Sequence, residues 1–300
     1  MLRRASPHRP RALLLAVALL LSSTLLSCGV SQRATKPAPT STPTRALSPT
    51  ATATSTPTQR PTATPTPQPT VTNAPFNTPT PQPPAACSPP PGVQPVSSSV
   101  IYYGTGSTRQ VSLTFDSDGG SRGNALAYLN ILQAHGIHAT WFLTGYFAQA
   151  NPDIVRKIRS DGHDIGNHTM DHTNLTSPTR SDSYICSELT RADAVISSVS
   201  GRTTRPYFRP FGGNFNDQVR HLAAGLGYRT IYWSIDPRDW DQATTTQDII
   251  NRVLNAPGLK PGAIILMHVN SPHEAEALDS VITGLEQKGY SIVPLSQLLR

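Results

Sequence analysis

Beyond about residue 97 short apolar runs alternate with helical patterns, and most of the apolar runs deliver an acid, a histidine or an arginine at or near their ends. The sharpest case is LTFDSDGG, Leu113 to Gly120. Val111, Leu113 and Phe115 alternate with polar residues at the period of a strand, which then runs into Asp116, Asp118 and a Gly-Gly turn. Further strands are expected at Val100 to Tyr103, Ala139 to Leu143, His163 to Gly166, Tyr207 to Pro210, Thr230 to Ser234, Ala263 to Met267 and Ser291 to Val293. Helices are expected between them: Asn124 to Ala134, stopped by Gly136; one opened by Pro152 and closed by Gly162; then Ser181 to Ser200, Asp217 to Ala224, Gln247 to Leu254 and Glu274 to Gln287. Such alternation implies an α/β domain with a mainly parallel sheet, read here as a barrel. Parallel barrel strands place their carboxyl ends on one rim, so the residues that follow them can meet.

The first 96 residues cannot join that fold. Arg3, Arg4, Arg9 and Arg11 precede an apolar run from Ala12 to Leu21 that is too short for a comfortable membrane span. Leu25, Leu26 and Ser27 before Cys28 resemble a bacterial lipobox, which implies cleavage before Cys28 and lipid on it; an uncleaved anchor helix is the alternative for residues 1–28. Residues 29–96 are Pro, Thr, Ser and Ala with no Asp or Glu, too poor in large apolar groups to offset the entropy of ordering. A disordered, extended spacer of about 65 residues at roughly 3 Å each reaches up to about 200 Å.

The formal charge of +7 belongs to this leader and spacer. The first 97 residues hold eight of the 25 Lys and Arg and none of the 18 Asp and Glu, so the remainder carries 17 against 18. With no basic patch in the folding part, nucleic acid is not an expected partner. Of three cysteines, Cys28 is taken by the lipid reading; Cys87 and Cys186 either bridge, as an exported pair can, or stay as buried thiols.

His168 and His172, four residues apart, can face one metal ion, although a histidine pair at this spacing is equally found on a solvated helix face. Asp116 and Asp118 offer a carboxylate ligand, a base for water, or a helix cap. His163 lies on a strand and is read as structural, and His135, His138 and His221 as surface or core. His268 after the apolar LM can donate a proton to a leaving group, with Asp239 in DPRDW keeping it charged. Arg209 in FRPFGG can clamp Asp116, and Trp240 and Leu266 can wall an apolar slot or belong to the core.

The ordered series TFD…D, HTMDH, RPFGG, DPRDW and LMH, with HATWFLTG and DGHDIGNHTMDHTNLT around it, resembles the polysaccharide deacetylase family, also called the NodB-homology domain or carbohydrate esterase family 4. The likeness spans residues 97–300 and implies a distorted (β/α) barrel of about seven parallel strands. It further implies Asp116 as general base, Arg209 orienting it, His268 as general acid and Asp239 tuning that acid. Asp118, His168 and His172 would hold a divalent metal, zinc first, with cobalt, nickel or manganese as alternatives. A backbone N–H near Gly212 would meet the oxyanion, and Trp240 and Leu266 would contact substrate. The implied reaction is deacetylation of N-acetylated glycans, peptidoglycan or a chitin-like polymer, by a monomer lipid-anchored outside the cell. An O-acetyl esterase of the xylan type and a non-catalytic glycan-binding module on the same fold are the rival readings. Two positions depart from the family pattern: Ser117 stands where its second Asp is usual, so either Asp118 reaches the metal or two histidines and waters hold it, and Gly212 stands where Tyr is common.

Overall fold

The computed structural model describes residues 87–106, 108–118 and 122–300. The leader, Cys28, nearly all of the spacer and the Gly119-Gly120 turn lie outside the described residues. The elements run β1 (Gln110–Ser117), α1 (Arg122–Ala134), β2 (Thr140–Leu143), α2 (Gly145–Ala150), α3 (Pro152–Ser160), β3 (Asp164–Asn167) and α4 (Asp182–Ser200). They continue with β4 (Tyr207–Phe208), a 3₁₀ turn (Phe211–Gly213), α5 (Asp217–Gly225), β5 (Arg229–Thr230), α6 (Thr246–Leu254), β6 (Ile264–His268), α7 (Glu274–Gln287), β7 (Ser291–Ile292) and α8 (Leu295–Leu298). All named strands pair in parallel, in the order β5-β4-β3-β2-β1-β6, with β7 added to the first residues of β1. Among the described residues the curled sheet is brought round by isolated bridges: Ile235 to Ile265 in the stretch after β5, and Ile101 to Ile231 with Tyr103 to Ala263 through the segment ahead of β1. This is the α/β barrel, distorted and thinly closed, that the alternation predicts.

Strand alternation decides where polar groups go. Val111, Leu113 and Phe115 on β1, Trp141 and Leu143 on β2, and Ile265 and Met267 on β6 all face outward into the main core beneath α1, α3 and α7. Each such side chain contributes about 1.5–3 kcal/mol by leaving water. The opposite faces of the same strands look into the barrel: Ser112, Thr114 and Asp116 on β1, and Ile264, Leu266 and His268 on β6. A second apolar cluster, with Phe142, Tyr207, Ile231, Ile264 and Val293, plugs part of that interior. Apolar outward positions therefore anchor the strands, and the inward positions are left for chemistry.

Local signals account for most boundaries. Ser181 caps α4 by accepting from the Tyr184 N–H, and Gly201 ends it at φ 73°, a left-handed conformation suited to glycine. Thr245 and Asp248 form a reciprocal capping box on α6. Three expectations change. The strand at Val100 to Tyr103 reduces to two isolated bridges, because the Gly104 N–H turns to the Gly262 carbonyl at 2.7 Å. Helix α2, capped by Thr144, and the short α8 were not anticipated. The chain already lies against the fold at Cys87, ten residues ahead of the expected boundary. Cys87 is disulfide-bonded to Cys186 on α4, and the Val96 N–H donates to the Ala224 carbonyl.

Candidate active site

The functional side chains gather at the carboxyl ends of β1, β3, β4 and β6. Asp116 is the penultimate residue of β1 and His268 the last of β6, and the two are direct register partners. Neighbouring strands put them about 5 Å apart along the hydrogen-bonding direction, both facing inward. His168 and Arg209 are the first residues after β3 and β4. Asp239 comes from the loop beyond Ile235 and reaches back to β6.

Arg209 is fully buried. Its Nη1 donates to Asp116 Oδ1 at 2.8 Å and its Nη2 to the Tyr232 carbonyl at 3.1 Å. The guanidinium lies over the rings of Phe142, at 4.1 Å, and Trp233, at 5.6 Å. Burial pushes the Asp116 carboxyl up, but Arg209, then His168 and His268, hold it below its ordinary value overall. Asp116 is thus an ionised, oriented carboxylate, and its Oδ2 lies 3.5 Å from His168 Nε2.

His268 carries the opposite bias. Its Nδ1 lies 2.8 Å from Asp239 Oδ1, and its backbone N–H donates to Asp239 Oδ2 at 2.7 Å. Burial works against the charged ring, yet the Asp239 hydrogen bond and charge, with Asp116, raise its pKa overall. A carboxylate on Nδ1 makes that nitrogen the donor and turns Nε2 toward the mouth. One acid biased toward its ionised form beside one imidazole biased toward its protonated form is the division of labour that a base and an acid require.

His168 is buried, with Nδ1 2.7 Å from the Arg209 carbonyl. A carbonyl only accepts, so Nδ1 carries the proton and Nε2 offers its lone pair to the site. Burial lowers its pKa. His172 is lowered to about 4, by burial and then by His168, and is also a neutral imidazole. Its ring centroid stands 4.8 Å from that of His168 and 4.6 Å, edge-on, from Phe211. Asp118 Oδ2 is 3.5 Å from His172 Nδ1 and accepts from Asn270 Nδ2 at 3.1 Å.

The donors fit a divalent metal in kind: two imidazoles kept neutral and a carboxylate beside them. They stand as two adjacent pairs, and among the described residues no three His, Cys, Asp or Glu side chains are gathered closely enough to cage an ion. Strand alternation favours Asp118 over Ser117 as the oxygen donor. Ser117 faces away from Asp116 and is fully buried with no partner for its hydroxyl, whereas Asp118 returns to the side of the histidines.

The remaining expected residues divide. Gly212 sits in the 3₁₀ turn after β4, at φ 54°, and the first N–H groups of such a turn have no partner within it. Trp240 is 52% exposed and lines a cleft of about 440 Å³ with Gln242, Asn270, Pro272 and His273. Leu266, expected as a wall, is only 2% exposed; two positions before His268 on the same inward face, it belongs beneath the site. His163 is structural as expected: its Nδ1 accepts the Ala139 N–H at 3.0 Å, and burial lowers its pKa to about 4.

Several contributors escaped sequence reasoning. Asn167, inside the GNH run, accepts from the Thr169 N–H and donates to the Leu189 carbonyl. Glu188 on α4 and Asn270 after β6 reach the site only through the fold, with no local signal beyond their polarity.

A barrel of this topology, with an Arg-paired acid and an acid-paired imidazole on its carboxyl rim, has the make-up of a hydrolytic acid–base enzyme. The chain belongs to the polysaccharide deacetylase family: the family model matches residues 103–231, and several relatives exceed 30% identity over most of their own length. The chain is 31% identical over 210 residues to the peptidoglycan-N-acetylmuramic acid deacetylase PdaA of Bacillus subtilis, covering 66% of this chain and 74% of that one. To the chitooligosaccharide deacetylase of Azorhizobium caulinodans it is 33% identical over 199 residues, 62% of this chain and 92% of that one. Among solved structures it resembles a family 4 carbohydrate-esterase pseudoenzyme from Bacillus anthracis, with 30% identity, a TM-score of 0.63 and coverage of 68% and 70% of the two chains.

Proposed function

We propose that the chain is a metal-dependent hydrolase that removes acetyl groups from N-acetylated glycans of the peptidoglycan or chitin type, outside the cell. The observation that carries this is the pairing of Asp116 with Arg209 and of His268 with Asp239 on neighbouring strands. Asp118, His168 and His172 would hold the metal, zinc foremost, which when bound acidifies a water and polarises the acetyl carbonyl. Asp116, kept ionised by Arg209, takes the proton from the attacking water. The N–H groups opening the turn at Phe211 and Gly212 face the developing oxyanion. His268, its Nδ1 engaged by Asp239, gives the Nε2 proton to the departing amine nitrogen, leaving a free amine and acetate. Trp240 offers an exposed aromatic face for a sugar ring beside the reacting one, in a cleft whose Asn270 also touches Asp118.

The likeness to a pseudoenzyme favours one second reading, a glycan-binding module without turnover. Against it, Asp116, His168, His172 and His268, some of which a decayed site is expected to lose, are all present and partnered. The leader and lipobox-like Cys28 support an exported, membrane-anchored location. The test is acetate release from N-acetylglucosamine oligomers with added zinc, against an Asp116→Asn variant. Release that the variant abolishes supports deacetylation; no release from any acetylated glycan by zinc-loaded protein leaves the binding module.

A further inference from the structure

We infer that Glu188 is a positioning residue that holds the loop between the two histidines in its site-forming conformation. This rests on the proposed metal site and adds a residue no motif contains. The loop bends sharply: Thr169 lies at φ 71° and His172 at φ 51°, both in the left-handed region that non-glycine residues avoid and β-branched threonine especially so. Two such residues within four positions persist only where the surroundings hold them. The Thr169 N–H is held by Asn167 Oδ1 at 2.9 Å. The next two N–H groups, of Met170 at 3.2 Å and Asp171 at 3.0 Å, both donate to one oxygen, Glu188 Oε2. That carboxylate is 1% exposed and comes from the middle of α4, seventeen residues past Asp171. Its other oxygen faces Arg191 at 3.8 Å, and Arg191 stands 4.0 Å from Asp171 on the outer side.

A buried carboxylate accepting two consecutive backbone donors fixes the direction of that peptide, and His172 follows directly. Side α2 completes the grip: the N–H groups of Gly145 and Tyr146 donate to the carbonyls of Thr169 and Met170. Donors and acceptors of the loop are thus claimed from two sides, Glu188 taking the N–H side. Removing it leaves His168 in place directly after β3, since that ring is tied to the Arg209 carbonyl, and frees His172 alone.

The test compares the full chain with Glu188→Ala and Glu188→Gln, reading zinc affinity by chelator competition and amide hydrogen exchange at Met170 and Asp171. Glutamine keeps one carbonyl oxygen for both N–H groups, so it is expected within about threefold of the parent affinity, while alanine weakens zinc about 10- to 100-fold. Alanine also speeds exchange at the two amides, a readout that needs no metal. Two results overturn the assignment: a folded alanine variant with parent-like zinc affinity, or a glutamine variant as impaired as alanine. Unchanged exchange at both amides in the alanine variant overturns it as well. Failure of the parent chain to bind zinc counts against the proposed metal instead, and the exchange arm still decides the clamp.

Discussion

Replacing Arg209 by methionine tests the site's electrostatics most directly. The substitution keeps most of the side chain's volume between Phe142 and Trp233 and deletes the charge and both hydrogen bonds, to Asp116 and to the Tyr232 carbonyl. Asp116 is then a buried carboxylate without its main partner, which costs about 3–5 kcal/mol of folding stability. That is a large share of the roughly 5–15 kcal/mol typical of a domain, so the variant folds but unfolds at markedly lower urea. The opposing influence, burial, then dominates Asp116 and moves its pKa up, so the acid limb of the pH–rate profile for acetate release shifts to higher pH. In the parent, Asp116 is held below its reference of 3.8, so its contribution to stability is full above that pH and is lost as pH falls through the depressed value. Pairing Arg209→Met with Asp116→Asn removes both charges and should restore about half the lost stability or more, a coupling a double-mutant cycle measures. Arg209→Met within about 1 kcal/mol of the parent, with the acid limb unmoved, would refute the claim that this ion pair organises the site.

Other outcomes follow from the same geometry. Asp239→Asn keeps one oxygen but sets an amide NH₂ against one of the two His268 donors; acetate release should fall about 10²- to 10⁴-fold, and the basic limb of the profile should move to lower pH. Because the His268 pKa is raised in the fold, its stabilising contribution is complete below the ordinary histidine value near 6.5 and fades as pH rises through the raised value, which a urea series across that range reads. Replacing Cys87 and Cys186 by serine opens a loop with a sequence separation of 99, which should lower stability by about 2–4 kcal/mol in urea denaturation while leaving acetate release near parent at 25 °C. Cys28→Ala should shift the protein from the membrane to the soluble fraction and change its mass; unchanged fractionation and mass would remove the lipid reading.

How far the sequence reaches depends on how locally each feature is encoded. Val111, Leu113 and Phe115 show their strand by period alone, and Pro152, Ser181, Gly201 and Thr245 mark helix ends through backbone chemistry within four residues. The ordered motifs predict Asp116, Arg209, Asp239 and His268, and the fold pairs them as expected. Contacts made across the fold are invisible in this way. Nothing near Glu188 announces that its carboxylate will reach Met170 and Asp171, and nothing near Asn270 points to Asp118. Of the two readings of Leu266, slot wall or core, its 2% exposure and its place two residues before His268 on the inward face agree with packing beneath the site. β4 and β5 are foreseen in place but not in length: each pairs over two residues only, short of the runs expected at Tyr207 to Pro210 and Thr230 to Ser234.

The covalent link from Cys87 to α4 also sets how the domain bears a mechanical load. Tension arriving along the chain ahead of Cys87 passes through the sulfur bridge into a nineteen-residue helix, and not along residues 88–103. The weak bridges of Ile101 and Tyr103 to the sheet are therefore spared from being unzipped one bond at a time. A load entering there falls on a helix packed against α2, α3 and α5, where many contacts must yield together.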